Sequence, residues 1–145
     1  MRYSERLRVP ISWWLIAAAG LGTLWLVVAA ATSAAVALAI TGTAVVLVVA
    51  GFLRYGAAPV AVDEDTLTAG RARIPLEHLG TAEPLTGEDA RLARGRECDP
   101  RAYLLLRPYV SGAVRVRLTD PADPAPYWLV ATRHPERLAE VLRPH

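Results

Sequence analysis

Apolar residues dominate the first third of the chain, and no charged residue occurs between Arg8 and Arg54. A helix that rises 1.5 Å per residue needs about 20 apolar residues to cross a bilayer core about 30 Å thick, so this run has room for two helices. We place them at about residues 11–31 and 35–53, on either side of a short polar break. The pattern therefore predicts a two-helix transmembrane hairpin over residues 11–53.

Two other interpretations fit the same run less well. The β-branched segment Val45–Val49 resembles a buried strand, but it lies within an apolar stretch far longer than an ordinary strand. A cleavable secretory signal is also disfavoured, because the first apolar region is too long and a second follows it at once. The hairpin is therefore the better interpretation.

The flanks of the hairpin predict its orientation. Residues 1–10 carry more basic than acidic residues and are expected to form a cytoplasmic basic tail, and Arg54 follows the second helix. Both termini are accordingly predicted to be cytoplasmic, in the inner or plasma membrane. Aromatic residues near the two ends are candidate membrane-interface anchors, namely Trp13 and Trp14 beside Tyr3, and Tyr55.

Small residues give each predicted helix a face on which another helix can pack closely. This face predicts packing between the two helices, and association of two copies stays open. The residues concerned are Ala18, Gly22, Ala35, Ala39, Gly42 and Thr43.

Residues 54–145 show the short alternating patterns of β-strands. In one of them Val114, Val116 and Leu118 share a face opposite Arg115 and Arg117. Pro135 opens an amphipathic helix over residues 135–143. The fold class expected is an α+β membrane protein, with a mostly antiparallel β domain of about six strands closed by that helix. The strands are predicted at 58–62, 66–69, a bent run within 71–85, 102–106, 113–119 and 126–132, with a short helix or a mobile loop at 86–95.

Charge and composition remove several classes of function. The chain is 53% apolar with a formal net charge of +2, and this excess lies in the N-terminal tail because residues 54–145 carry equal numbers of acidic and basic residues. No nucleic-acid partner is expected. The absence of ionisable residues between Arg8 and Arg54 disfavours a pump or a channel.

Signals of catalysis or metal binding are absent from the sequence. Cys98 is the only cysteine, and its neighbours Glu97 and Asp99 disfavour a thiolate. The three histidines form no spaced ligand motif, and no glycine-rich phosphate loop or nucleophile elbow occurs. We expect no enzyme activity, no cofactor and no metal.

The arginines are the one group of residues that the sequence suggests for binding. Arg71 and Arg73 alternate on one predicted strand, and Arg115 and Arg117 alternate on another. If they converge near the bilayer they can contact anionic lipid or a partner. The alternative is a solvated sheet face balanced by nearby carboxylates.

Two resemblances accompany this interpretation. The strings VDEDTLTAGRARIPLEHLGTAEPL and ATRHPERLAEVLRPH resemble the pleckstrin-homology-like domains that follow membrane hairpins in bacterial proteins. The resemblance implies a bent barrel with one end plugged by the last helix. From YSERLRVPISWW onwards, the whole chain also resembles an uncharacterised family of small actinobacterial membrane proteins, classed as a domain of unknown function, which implies no catalytic residue, substrate or partner.

The function expected is that of a non-enzymatic, membrane-anchored adaptor or complex subunit. Its cytoplasmic domain would bind a protein partner or the membrane surface. The alternative is an enzyme or accessory factor of envelope lipid metabolism, with a site at the bilayer edge that uses Tyr103, Tyr109 or Arg107.

Overall fold

The chain folds as two units, one of which interrupts the other in sequence. The computed structural model describes residues 2–143. Residues 8–57 form a helical hairpin, whereas the segments on either side of it, residues 2–7 and 58–143, together form one β domain.

The hairpin consists of α1 (Ile11–Ala31) and α2 (Ala34–Tyr55), both long and apolar enough to cross a membrane. Ser33 begins α2 as its N-cap, because its hydroxyl oxygen accepts a hydrogen bond of 3.4 Å from the backbone N–H of Val36. Proline is absent from both helices, so neither loses a backbone hydrogen bond.

The two helices pack along a seam of side chains that recur at intervals of three and four residues. The ring of Trp14 meets that of Phe52 edge to face, with centroids 5.0 Å apart. The less exposed positions that define the seam are Trp14, Ala17, Leu21, Leu24 and Val28 on α1, and Ala37, Thr41, Ala44, Val48 and Phe52 on α2.

The small residues expected between the helices lie off this seam. Ala18, Gly22, Ala39 and Gly42 are exposed, and a Cβ added at either glycine would meet no atom within 4 Å. The expectation that these residues pack the two helices together is therefore wrong. The seam instead pairs larger side chains, mostly on α1, with a different set of small residues, Ala37, Thr41 and Ala44, on α2, in the three-and-four spacing of ordinary helix pairs.

The first sheet of the β domain begins before the hairpin and resumes after it. Its strands are β1 (Tyr3–Arg6), β2 (Pro59–Val62), β3 (Thr66–Ala69) and β4 (Ala72–Pro75), paired antiparallel in that order. The register sets Tyr3 opposite Val62 and Arg6 opposite Pro59. Residues 3–6 are therefore a strand, whereas the sequence pattern predicted a tail over residues 1–10.

The second sheet contains β5 (Leu79–Leu85), β6 (Tyr103–Leu105), β7 (Ala113–Leu118) and β8 (Tyr127–Ala131), in the order β5-β7-β8-β6. All pairs are antiparallel except β6 with β8, which is parallel. The run predicted as one bent strand over residues 71–85 is two strands, because a single helical turn (Leu76–His78) separates β4 from β5 and carries the chain into the other sheet.

Two short helices complete the domain. α3 (Gly87–Arg94) occupies the segment for which the sequence left a helix or a loop open, and α4 (Pro135–Val141) opens with proline at its first turn. The layout of two apolar helices, mixed β-sheets and a C-terminal helix confirms the α+β class. Residues 2–143 contain eight strands, where about six were expected.

Alternation along the strands creates one core shared by both sheets. Inward side chains of the first sheet meet those of β7 and β8, and Leu138 of α4 packs against the same cluster. A smaller cluster lies under α3, where Ala90 and Ala93 pack on Leu129. Inward side chains of the shared core include Val60, Val62, Leu67, Ile74, Val114, Val116, Trp128 and Val130.

A hydrogen bond ties the second sheet to the first at the turn between β3 and β4. The hydroxyl of Tyr103 donates to the carbonyl of Ala69 at 2.8 Å, and its ring packs at an angle of 44° against that of Trp128, with centroids 4.7 Å apart. The turn itself requires glycine, because Gly70 has φ +64° and faces the side chain of Leu105.

Leu7 provides a test of whether the segment before the hairpin is part of the domain core. Its side chain is fully buried, so L7A removes packed methyl groups and is expected to lower the free energy of unfolding by about 2–5 kcal/mol. The measurement is urea unfolding followed by Trp128 fluorescence, in a chain whose other three tryptophans are phenylalanine. Leu104, which is 40% exposed, is the control. Equal losses for L7A and L104A would contradict the placement of Leu7.

Candidate functional site

The structure separates the arginines that the sequence proposed as one surface. Arg73 lies on β4, the edge strand of the first sheet, and Arg71 lies in the turn before it. Arg115 and Arg117 lie on β7, an inner strand of the second sheet. Alternation correctly placed each pair away from its core, but the two pairs belong to different sheets. Arg115 and Arg117 line a common cleft.

This arginine cleft has a volume of about 240 Å³ and is lined by Arg115, Arg117, Pro126 and Tyr127. Arg115 is held by Glu83 on the neighbouring strand, whose Oε2 accepts from Nη2 at 2.6 Å and from Nε at 3.2 Å. Arg117 is exposed, and its side chain adds a second positive charge. The cleft therefore has a surplus of positive charge, which suits an anion.

Tyr127 gives the arginine cleft a fixed wall. Its hydroxyl oxygen accepts from the backbone N–H of Asp99 at 2.9 Å, which ties the segment after α3 to β8. The carboxylate of Asp99 in turn accepts from the backbone N–H of Arg101 at 2.9 Å, and this bond, together with the guanidinium of Arg101, lowers the pKa of the carboxyl group. The phenol is thus already hydrogen-bonded, and its ring is what it offers to a ligand.

The candidate interface anchors lie at one end of the hairpin. Trp13 and Trp14 occupy the first turn of α1, both rings lie near that of Phe52, and Tyr55 is the last residue of α2. Their role as anchors stays a prediction. Tyr3, which the sequence grouped with them, is instead 5% exposed in the core of the β domain.

A partly buried polar cluster that the sequence did not reveal lies where β1 meets the end of β8. We call it the strand clasp, formed by Tyr3, Glu5, Thr132 and Arg133. Oε2 of Glu5 accepts from the hydroxyls of Tyr3 at 2.7 Å and Thr132 at 2.6 Å, and its Oε1 accepts from the backbone N–H of Arg133 at 3.1 Å. The guanidinium of Arg133 lies 3.7 Å from the same carboxylate.

The environment of the strand clasp shifts two pKa values in opposite directions. Burial alone would raise the pKa of Glu5, but hydrogen bonds from Thr132, Tyr3 and the N–H of Arg133 outweigh it, and the pKa is lowered. Burial raises the pKa of Tyr3 to about 12, and its hydrogen bond to Glu5 adds to the effect. Glu5 is therefore ionised at neutral pH and Tyr3 is not.

The hydrogen-bond donors around Glu5 indicate that the strand clasp has a structural role. A carboxylate whose oxygens are occupied by donors is a poor general base, since its charged form is already stabilised. Thr132, which is fully buried, also accepts from the backbone N–H of His134 at 3.0 Å. The clasp thus joins the first strand to the residues that open α4.

The residues considered for an enzyme site bind backbone carbonyls. Tyr103 donates to Ala69 as described, the hydroxyl of Tyr109 donates to the carbonyl of Leu7 at 2.6 Å, and Arg107 donates to its neighbour Leu106 at 2.8 Å. These contacts fix loops and strands. Within residues 2–143, no three His, Cys, Asp or Glu side chains gather as metal ligands would.

A helical hairpin set between the first and second strands of a two-sheet α+β domain defines the class of this protein. The chain belongs to DUF3093, a family of proteins of unknown function, whose model matches residues 2–142. This match confirms the sequence-based assignment to an uncharacterised family. No curated protein and no solved structure matches the chain.

The strand clasp is expected to make the free energy of unfolding fall as the pH is lowered. The pKa of Glu5 in the fold lies below the unfolded value of about 4.3, so its contribution is present above that pH and is lost as the pH falls through the folded pKa. E5Q should lower the free energy of unfolding by about 1.5–3 kcal/mol at pH 7, as expected for hydrogen bonds to a charged group. Urea titrations followed through Trp128 should show this difference shrinking below about pH 4. A difference that stays constant with pH would show that ionised Glu5 is not what holds the clasp.

Proposed function

We propose that the protein is a two-span membrane protein whose β domain acts, without catalysis of its own, as a membrane-tethered adaptor or complex subunit. The apolar hairpin supports the membrane location, because both helices are long enough to span and expose large side chains such as Ile16, Leu26 and Leu47. Such side chains on a helix pair favour lipid as their surroundings.

The pairing of β1 with β2 is the single observation that carries this proposal. The hairpin begins after the first of these strands and ends before the second, and the two are hydrogen-bonded neighbours. Both ends of an inserted hairpin must therefore lie on one side of the membrane, which two spans satisfy and one span does not. Arg2, Arg6, Arg8 and Arg54 flank the hairpin and favour the cytoplasmic side.

The side-chain contacts support an adaptor over the alternative of a lipid-metabolising enzyme. Tyr103, Tyr109 and Arg107 each donate to a backbone carbonyl, so these groups stabilise the domain. The pleckstrin-homology-like resemblance is supported by α4, which packs on the core that both sheets share. The parallel pairing of β6 with β8 is a departure from an all-antiparallel barrel.

The two-span topology can be tested with single cysteines in a chain that carries C98S. Cysteine at Ser33, between the two helices, should react with an impermeant maleimide added outside intact cells. Cysteine at Ser4 or Glu64 should react only after the membrane is opened, because both lie in the β domain. Labelling of the cysteines at positions 33 and 64 from the same side of the membrane would refute the proposal.

The arginine cleft is the part of the domain that we propose for contact with an anionic surface. Full-length protein in nanodiscs should show slower hydrogen exchange in β7 and β8 when the lipid is anionic than when it is neutral, and the effect should weaken with salt. R117A should reduce this protection, since each arginine near such a surface contributes about 1 kcal/mol.

R73A is the matched control, because Arg73 is exposed on the other sheet. Equal effects of R117A and R73A would argue for a general charge effect. Exchange that ignores lipid charge would assign the cleft to a protein partner, which photo-crosslinking from position 117 in cells would then capture.

A further inference from the structure

We propose that the β domain acts as a check on the insertion of its own hairpin, because the domain is completed by β1 only when both helices cross the membrane. The inference rests on the proposed two-span topology and adds to it a coupling between membrane insertion and folding. It is drawn from three observations: how β1 is held, how far the linkers reach, and what is left when β1 is missing.

The segment before the hairpin is bound along its whole length. Four residue pairs join β1 to β2, and the backbone N–H of Arg2 and of Leu7 extend this pairing with bonds to Val62 at 2.7 Å and Ala58 at 3.3 Å. Tyr3 and Leu7 are core residues, 5% and 0% exposed. This is the packing of an integral strand.

The segment also bonds to parts of the domain distant in sequence. The strand clasp joins Glu5 to Thr132 and Arg133, and the carbonyl of Leu7 accepts from the hydroxyl of Tyr109. Without β1, the hydroxyl of Thr132 would lose two of its partners in a fully buried position, where an unsatisfied polar group costs about 1–3 kcal/mol. Val60 and Val62 would lose a neighbouring strand, and β2 would become an open edge.

The linkers are too short for β1 to reach β2 across a bilayer. Residues 7–10 join β1 to α1 and residues 56–58 join α2 to β2, and four or three extended residues reach about 14 Å or about 10 Å. Leu7 already belongs to the domain, which shortens the first linker further. With a single helix inserted, a hydrocarbon core about 30 Å thick separates the two strands, so the pair cannot form.

A chain with one span therefore has a domain without its first strand, with an open β2 edge and with a Thr132 hydroxyl that has lost its acceptor Glu5 and keeps only the N–H of His134 as a partner. Such a domain spends more time unfolded, and proteolysis follows the population of open states. Correctly and incorrectly inserted chains thus differ in how much of the time their β domain is unfolded, and this difference changes the rate at which a protease cleaves them.

The test compares full-length protein with a one-span variant that lacks residues 34–55, both made by cell-free synthesis into phospholipid vesicles. Maleimide labelling of the full-length chain that carries S33C and C98S establishes first, and separately, whether the hairpin spans twice. Both proteins stay in the vesicles, which are opened by freezing and thawing, so that the same thermolysin solution reaches both domains while the bilayer still separates the two ends of α1. The one-span variant should be cleaved at least about tenfold faster.

A second variant separates the loss of β1 from the loss of α2. It is the one-span chain with an added copy of residues 1–7, joined by a short Gly-Ser linker to Ala58, which restores β1 on the side of the domain. Resistance should return to within about twofold of the full-length value, whereas a copy that carries E5A and L7A should not restore it.

Each result bears on the proposal. A one-span variant as resistant as the full-length chain would overturn it, and so would failure of the intact copy to restore resistance, since the defect would then lie elsewhere than in β1. If labelling shows that the full-length hairpin does not span twice, the proposed topology fails on its own measurement, independently of the protease ratio.

Discussion

The hydrogen-bonded pair of β1 and β2 is the constraint on which the rest of the structure depends. The two strands are adjacent in the sheet but lie on either side of the hairpin in sequence. A flexible loop of that length would add an entropic cost to their pairing that grows only slowly with length. Here the insertion is two packed helices with short linkers. The linkers therefore limit how far β1 and β2 can lie from the ends of the hairpin. In the proposed topology, membrane insertion of the hairpin and folding of the β domain therefore depend on each other.

The strand clasp shows how this constraint is built into the core. Among residues 2–143, Thr132 is the one buried polar residue outside the aromatic side chains, and it lies where β8 turns toward α4. A buried hydroxyl needs partners, and Glu5 and Tyr3 supply them from the segment before the hairpin. The ionised carboxylate is stabilised in turn by Arg133. Apolar burial of Leu7 attaches the same segment without directional bonds, and the polar cluster sets its register.

Sequence patterns predicted what depends on neighbours along the chain. The length of the uncharged run gave the two helices, and alternation on β7 gave the face of Arg115 and Arg117. β1 was missed because four residues carry too little alternation to identify a strand and its partner lies beyond the hairpin. Pro75 indicated a bend in the chain, but it did not indicate that the chain passes there from the first sheet to the second. Which arginines share a cleft depends on strand order, which periodicity does not contain.

The equal numbers of acidic and basic residues over residues 54–145 conceal a local difference that matters for binding. Arg115 is compensated by Glu83 on the adjacent strand, while Arg117 contributes charge to the same cleft. One such arginine, at about 1 kcal/mol, is far too weak to recruit a soluble domain to a surface. In the proposed topology recruitment is unnecessary, because two short linkers hold the domain beside the membrane at an effective concentration of about millimolar. Weak contacts then suffice to orient it, and a nearly neutral domain remains free to exchange a lipid surface for a protein partner.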